Sequence, residues 1–199
     1  MQKISLLRAR ETAPDAFARV AGEIVTMLSV WATERLHVKE KDVITPVAPT
    51  TGYELEGEQP VVVPILRAGL GMLESFRTIL PVSEVGFVGA GRNEETLEAT
   101  LYGVRLPESL VNRPVFVLDP MLATGGTLVS VVEALRDRGA RNITIVCLIA
   151  APEGIERIRQ ACQDDLTLVV GQIDSHLNGN GYIVPGLGDA GDRFFGTFA

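Results

Sequence analysis

The most informative stretch of the chain is an apolar run that ends in a carboxylate and continues into a loop of small residues. Residues 115–127 read VFVLDPMLATGGT, so Asp119 directly follows four apolar residues. Ligands bind at the carboxyl ends of parallel strands, and backbone N–H groups of 123–127 can form an anion-binding nest before a helix. Thr124 and Thr127 add hydroxyl donors. This pattern predicts a phosphate site in which Asp119 accepts hydrogen bonds from sugar hydroxyls or holds hydrated Mg²⁺.

The glycine-rich turn has alternative explanations when it is taken alone. A turn between any strand and helix can be rich in glycine for purely structural reasons, and the turn by itself leaves that role open. It is not a Walker A loop, because no lysine follows Gly125 and Gly126.

The elements that must position this loop alternate between short apolar runs and segments of helical periodicity. The predicted strands span 43–47, 53–55, 60–66, 85–88, 115–118, 143–149 and 166–170, with a Pro-Thr-Thr-Gly turn at 49–52. The predicted helices span 14–36, 71–80, the region of 129–135, and 153–161. Strands separated by helices of this length predict an α/β fold with a mostly parallel sheet and helices on both faces.

The domain organisation follows from the length and the polar interruptions. A chain of 199 residues suits one domain, so we expect a single domain over 1–199. Its N-terminal arm and helix cover about 1–36, and a glycine-rich C-terminal segment covers about 179–199. Residues 91–105 fit neither a helix nor a core strand, and we interpret them as a flexible loop or a hairpin.

Charge and cysteine usage limit the functional class and the compartment. The net charge of −7 disfavours a broad surface for nucleic acid. The apolar runs are too short to span a membrane, and the N-terminus lacks the apolar core of a signal peptide. Cys147 and Cys162 lie in apolar and helical patterns, which is typical of buried thiols in a reducing cytoplasm. We therefore expect a cytoplasmic protein with no membrane or nucleic-acid partner.

Four long motifs together resemble the type I phosphoribosyltransferases, and in particular the uracil phosphoribosyltransferase family. They are VVPILRAGLGM at 62–72, DPMLATGG at 119–126, CLIAAPEG at 147–154 and GYIVPGLGDAGDRFFG at 181–196. The loop departs from the usual type I pattern, because Pro120 replaces the second of two adjacent acidic residues. The resemblance covers nearly the whole chain. It implies a central, mostly parallel sheet flanked by helices, with an N-terminal arm and a C-terminal hood that binds the base.

The resemblance also implies a site for 5-phosphoribosyl 1-diphosphate (PRPP). Arg67 and Arg92 would bind the diphosphate, Asp119 the ribose hydroxyls, and residues 123–127 the 5-phosphate. The whole implied PRPP set is Arg67, Arg92, Asp119, Pro120, Met121, Leu122, Ala123, Thr124, Gly125, Gly126, Thr127 and Asp189. The implied catalytic residues are Arg67, Arg92, Asp119 and Asp189. Mg²⁺ would enter bound to PRPP, with no direct metal ligand from the chain.

The C-terminal motif implies the base site. Ile183, Gly188, Asp189 and Ala190 would line the uracil pocket, and the base would be read mainly through main-chain groups. Glycine suits such a site, because a Cβ would keep the backbone away from the edge of the base. Asp189 would also contact PRPP or its metal.

The implied reaction is uracil + PRPP → UMP + diphosphate, a step of pyrimidine salvage. The resemblance further implies a homo-oligomer, a dimer or higher, and GTP as an effector in some relatives. Two alternatives stay open: a phosphoribosyltransferase for another base, and an RNA-binding regulatory protein that senses PRPP or UMP. The C-terminal motif argues against the first alternative, and the negative net charge argues against the second.

Several other residues carry weaker expectations. We expect Trp31 and Tyr53 to serve packing and not function. Arg8 either packs within the chain or reaches a neighbouring subunit. His37 and His176 lack the spacing of metal ligands.

Overall fold

The structure, a computed structural model, describes residues 1–92, 99–162 and 166–196, except for the side chains of Arg92 and Ala99. The helices are α1 (Gln2–Arg8), α2 (Pro14–Thr33), α3 (Leu70–Ile79), α4 (Gly126–Arg136), α5 (Pro152–Cys162) and α6 (Ala190–Phe195). The strands are β1 (Val38–Ile44), β2 (Pro49–Leu55), β3 (Val61–Leu66), β4 (Glu84–Val85), β5 (Phe87–Arg92), β6 (Ala99–Arg105), β7 (Val115–Leu118), β8 (Met121–Leu122), β9 (Ile143–Ala150), β10 (Leu166–Ile173), β11 (His176–Leu177) and β12 (Ile183–Val184).

The central sheet has the strand order β10-β9-β7-β3-β5-β6, with β4 beside β3 and β8 beside β9. Its described pairs are parallel, apart from the antiparallel pair β5–β6. Every residue of β7 and of β9 is buried, as expected for parallel strands with helices on both faces. The predicted α/β fold with a mostly parallel sheet is confirmed.

The core lies in two layers, one on each face of this sheet. Along β7 the side chains alternate between the layers: Phe116 and Leu118 pack with α2 and α3, whereas Val115 and Val117 pack with α4 and α5. This alternation is the period-two geometry of a strand. Because both layers are apolar, the sheet is held rigidly and its carboxyl edge becomes a fixed platform for loops.

The first hairpin corrects one prediction about a turn. Residues 49–52 do not form a turn, because they belong to β2, which pairs with β1. The chain reverses at residues 45–48 instead, where the Thr45 hydroxyl oxygen accepts hydrogen bonds from the N–H groups of Val47 and Ala48. A threonine that bonds its own following backbone is a turn signal, and we overlooked it in favour of the Pro and Gly pair.

The polar segment 91–105 is built mainly as a hairpin. Its described residues belong to β5 and β6, which pair antiparallel at one edge of the central sheet. The predicted flexible loop would lie at residues 93–98, which fall outside the described residues, as does the side chain of Arg92.

Two further expectations concern burial. Trp31 is 63% exposed and Tyr53 is 68% exposed, so the predicted packing role is not met within the described chain. Trp31 lies near the carboxyl end of α2, and Tyr53 lies on the β1–β2 hairpin, whose β1 is exposed throughout. Cys147 and Cys162 are free and buried, as predicted. No helix within the described ranges is long and apolar enough to cross a membrane.

Candidate active site

A cleft of about 270 Å³ opens where β3 and β7 end. Its walls come from the segments that follow these strands, from the start of α4 and from the residues around the start of α6. The lining residues are Ile65, Leu66, Arg67, Ala68, Ala90, Asp119, Pro120, Met121, Leu122, Ala123, Thr124, Gly125, Thr127, Leu128, Asp189, Ala190 and Gly191. Chain segments far apart in sequence therefore meet at the carboxyl edge of the sheet, where α/β proteins bind ligands.

Most residues predicted for the site lie in this cleft. Of the predicted set, Gly126, Ile183 and Gly188 do not line it. Arg92 ends β5, but its side chain is outside the described part of the chain.

Residues 119–127, here called the phosphate loop, are fastened to β9 by backbone hydrogen bonds. Leu148 N–H and Ile149 N–H donate to the Pro120 carbonyl at 3.0 and 3.2 Å, and Ala151 N–H donates to the Leu122 carbonyl at 2.9 Å. Within the loop, Gly125 has φ +77° and precedes α4, which begins at Gly126. Glycine adopts this left-handed conformation at little cost, and the first N–H groups of a helix have no partner within the helix, which makes them suited to bind an anion.

Gly154 of α5 touches the phosphate loop backbone to backbone. A Cβ built on Gly154 would collide with the Ala123 carbonyl oxygen, and one built on Gly125 would lie 2.9 Å from the Gly154 carbonyl oxygen. Any side chain at Gly154 would therefore push α5 and the loop apart. The CLIAAPEG motif gives no local signal that Gly154 positions the loop, because the contact joins segments about 30 residues apart in sequence.

Asp119 begins the phosphate loop and has an unusual protonation behaviour. Its Oδ1 accepts a hydrogen bond of 3.4 Å from Met121 N–H. Burial raises the pKa of Asp119 to about 7, and the Met121 N–H offsets this only in part. A ligand that donates hydrogen bonds to the carboxylate would favour its charged form and lower this pKa.

Arg67 follows β3 through a cis Leu66–Arg67 peptide bond. Its side chain is 55% exposed, and Nη2 lies 3.7 Å from Oδ1 of Asp192 on α6. Such a long, exposed ion pair is weak, and Arg67 lines the cleft.

Residues 183–191, here called the base tail, reach the opposite side of the cleft, which Asp189, Ala190 and Gly191 line. The tail contains a cis Val184–Pro185 bond and two glycines with positive φ, Gly186 at +64° and Gly188 at +83°. Ile183 is only 7% exposed and packs in the core. Asp189 caps α6, because its Oδ1 accepts a hydrogen bond of 2.9 Å from Asp192 N–H.

Two arginines connect the base tail to the N-terminal arm, and sequence reasoning identified neither role. Arg8 forms an ion pair with the buried Asp174, so it packs within the chain. Arg193 donates to the carbonyl oxygens of Leu187 and Leu7 at 3.1 and 3.0 Å. Its guanidinium lies 4.6 Å from the centre of the Phe17 ring, a cation–π contact.

Fold comparison first defines the class of protein. A solved hypoxanthine phosphoribosyltransferase from Staphylococcus aureus has a TM-score of 0.54 at 18% identity, over 80% of this chain and 76% of that chain. A solved protein from Aquifex aeolicus has a TM-score of 0.92 at 40% identity, over 98% of this chain and 93% of that one. The fold is therefore that of the type I phosphoribosyltransferases.

Sequence comparison then narrows the class. The family model described as uracil phosphoribosyltransferase matches residues 1–197. Uracil phosphoribosyltransferases from Nocardioides sp. and Streptomyces griseus are 54% and 53% identical, over 98% of this chain and 92% and 93% of theirs. The chain belongs to the uracil phosphoribosyltransferase family.

Proposed function

We propose that this protein is an enzyme of pyrimidine salvage that transfers the phosphoribosyl group of PRPP to N1 of uracil, giving UMP and diphosphate. The observation that carries the proposal is the family match over residues 1–197. It is supported by the cleft, which gathers Arg67, the phosphate loop and Asp189 at one edge of the sheet.

The phosphate loop would bind the 5-phosphate and the ribose of PRPP. The N–H groups that open α4 and the hydroxyls of Thr124 and Thr127 suit a phosphate, because both donate to its oxygens. Asp119 would accept hydrogen bonds from the 2- and 3-hydroxyls. These contacts lie away from the reacting carbon C1, so their binding energy would serve to orient it.

Arg67 and Arg92 would bind the departing diphosphate, whose negative charge grows as the bond to C1 breaks. Mg²⁺ carried by PRPP would neutralise part of that charge. The residues present fit an ion held mainly by the substrate. Asp119 and Asp189 offer carboxylates to the cleft, and carboxylate oxygens suit contact with a Mg²⁺ ion that the substrate brings.

Bond breaking at C1 would build positive charge on the ribose, and uracil N1 would then attack the face of C1 opposite the departing diphosphate. The N1 proton would pass to solvent or to an oxygen of the diphosphate. This proposal requires no strong general base. We assign Asp189 a contact with PRPP or its metal, which its place in the cleft supports.

Ile183, Gly188, Asp189 and Ala190 would bind uracil, largely through backbone groups. Uracil presents an N3–H donor between two carbonyl acceptors, whereas cytosine lacks this donor and carries an amino group. Two buried polar groups left unpaired would exclude cytosine by a factor on the order of 10² to 10⁴.

We also propose a single domain that forms a homo-oligomer, a dimer or higher. The described residues share one central sheet with a core on each face, which supports one domain. Exposed apolar side chains on α2 and the first hairpin, among them Met27, Val30, Trp31 and Tyr53, support burial against a second copy. Sedimentation would measure the oligomeric state directly.

A cytoplasmic location and activation by GTP stay predictions. The effect of GTP is tested by adding it to the assay below.

The test is an assay of the purified protein with PRPP, Mg²⁺ and one base at a time: uracil, cytosine or hypoxanthine. We expect UMP and diphosphate from uracil, and at least about 100-fold less product from cytosine. An RNA-binding assay run in parallel tests the regulatory alternative. RNA binding without UMP formation would contradict the proposal, and a product from hypoxanthine alone would indicate a different base.

A further inference from the structure

We propose that Arg8 and Asp174 are positioning residues for uracil: together they hold the backbone of Gly186 and so fix the base tail. The inference rests on the proposed function, because it concerns the segment to which uracil binding is assigned. Neither residue lines the cleft, so each would act through the tail and not by contact with substrate.

The side chains of Arg8 and Asp174, here called the bracket, together hold the backbone of Gly186. Oδ2 of Asp174 accepts hydrogen bonds from Gly186 N–H at 3.0 Å and from Nη1 of Arg8 at 2.8 Å. The same Nη1 donates to the Gly186 carbonyl oxygen at 2.9 Å, and Nη2 of Arg8 donates to Oδ1 of Asp174. Both backbone polar groups of Gly186 are therefore held by one ion pair.

The bracket is tied to rigid parts of the fold on both sides. The Asp174 side chain is fully buried, and its backbone N–H donates to Ala150, the last residue of β9, at 2.8 Å. Arg8 is the last residue of α1, and its side chain is 18% exposed. The tail thus takes its position from the sheet through Asp174 and from the N-terminal arm through Arg8.

Gly186 is well placed to transmit this position along the tail. It has φ +64°, and a Cβ built on it would collide with the Ile183 carbonyl oxygen, so the turn from Ile183 to Gly186 is tightly closed. Gly188 follows two residues later. A displacement of Gly186 would therefore move the backbone on both sides of the assigned base site.

Among the described residues, the backbone hydrogen bonds of the phosphate loop go to β9, to Ala151 and to α4, and none goes to Arg8, Asp174 or Gly186. A disturbed bracket should therefore weaken uracil binding and leave PRPP binding nearly unchanged. A general loss of structure would weaken both.

The most informative variant for testing the positioning role is Arg8→Lys. Lysine keeps the positive charge that the buried Asp174 needs, but a single ammonium cannot reproduce the planar fork that spans Asp174 and Gly186. We expect the KM for uracil to rise about 5- to 30-fold, and the KM for PRPP to stay within about twofold. Hydrogen exchange at the Gly186 amide should accelerate in the same variant.

The matched control is Lys3→Met. Lys3 also lies on α1, but its ion pair is with Glu23 on α2 and not with Asp174. We expect both KM values to stay at the parental level. If Arg8→Lys does not fold, the double variant Arg8→Gln/Asp174→Asn removes both charges together and carries the same expectation.

The outcomes distinguish failure of the proposed function from failure of the positioning role of Arg8 and Asp174. If the parent protein forms no UMP, the proposed function fails, whereas the exchange rate at Gly186 still tests the bracket. An unchanged KM for uracil in a folded variant, an equal rise of both KM values, or an equal effect of Lys3→Met would each overturn the positioning role.

Discussion

The two sides of the cleft are both rich in glycine, yet they are held in opposite ways. The phosphate loop is held by backbone groups of β9 and α5, which follow it closely in the chain. The base tail is held by two side chains: that of Asp174, 12 residues before Gly186, and that of Arg8, which lies 166 residues from Asp174 in sequence. The phosphate loop therefore depends on the absence of side chains at Gly125 and Gly154, whereas the tail depends on the hydrogen bonds that Arg8 and Asp174 make with it.

This difference has a mechanical consequence for substitutions. A loop packed backbone to backbone is broken by an added methyl group, because the neighbouring backbone cannot rotate away. A tail held by an ion pair tolerates added volume where space is open, but it moves when a donor is lost. The predictions below use this contrast, beginning with the largest effect.

The strongest expected effect in the tail is that of Gly188→Val. Gly188 has φ +83°, and a Cβ there would meet nothing within 4 Å. The cost therefore comes from the left-handed backbone, which a β-branched residue strongly disfavours, and not from crowding. We expect uracil binding to fall by about 100-fold or more as the chain leaves this conformation. Calorimetry with a non-reactive PRPP analogue would measure it.

Gly179→Val is the matched control for that change. Gly179 also has open space for a Cβ, but its φ is not positive. If both variants lost uracil binding equally, or if neither did, the role of the positive φ would be contradicted.

In the phosphate loop we expect Asp119→Asn to have the next largest effect. An amide keeps the shape of the side chain but loses charge-assisted hydrogen bonds to the ribose, at a cost of roughly 1.5–3 kcal/mol. This corresponds to a fall in kcat/KM for PRPP of about 10- to 150-fold. The exposed Asp137→Asn is the control. Normal PRPP kinetics in a folded Asp119→Asn protein would rule out ribose binding by this residue.

The same substitution should change how stability depends on pH. The folded protein keeps the Asp119 proton up to pH about 7, whereas the ordinary value is 3.8. Between these values the folded state binds more protons than the unfolded state, so the free energy of unfolding of the ligand-free parent falls as pH rises. Asp119→Asn should lack this fall and gain about 2 kcal/mol relative to the parent from pH 5 to pH 7. Denaturant titrations at both pH values would measure it, and parallel curves would contradict the raised pKa.

The two sides of the cleft also differ in how much of their structure could be predicted from the sequence. The buried strands were readable because β7 and β9 are apolar on both faces, and the phosphate loop because its residues are contiguous. The Arg8–Asp174 bracket could not be predicted, because the sequence around neither residue indicates a partner so far along the chain. The predicted turn at 49–52 was wrong because the Thr45 hydroxyl, and not Pro49 and Gly52, organises the turn of the first hairpin.

Gly154→Ala tests the backbone contact that supports the phosphate loop. The new methyl group would collide with the Ala123 carbonyl, and the loop would shift. We expect the KM for PRPP to rise about tenfold with little change in uracil binding.

The control for Gly154→Ala is Gly139→Ala. Gly139 lies beyond the carboxyl end of α4, it has φ +89°, and a Cβ there would lie 2.5 Å from Cγ2 of Val111, so alanine strains the fold at a place that has no contact with the loop among these atoms. Both variants should lose stability, and only Gly154→Ala should raise the KM for PRPP. An equal rise in both would show that the effect is general destabilisation.

The smallest expected effect is that of Ile183→Val, which asks whether the tail reads uracil by backbone or by side chain. Ile183 is 7% exposed and its side chain packs in the core beneath the tail. Losing one methylene should cost about 0.5–1.5 kcal/mol of unfolding free energy. If the base is read by backbone groups, the KM for uracil should stay within about twofold of the parent, since β12 would keep its pairing with β11. Thermal unfolding and steady-state kinetics on the same protein separate the two effects. A rise of about tenfold in the KM for uracil, without a matching rise for PRPP, would show that the side chain itself shapes the base pocket.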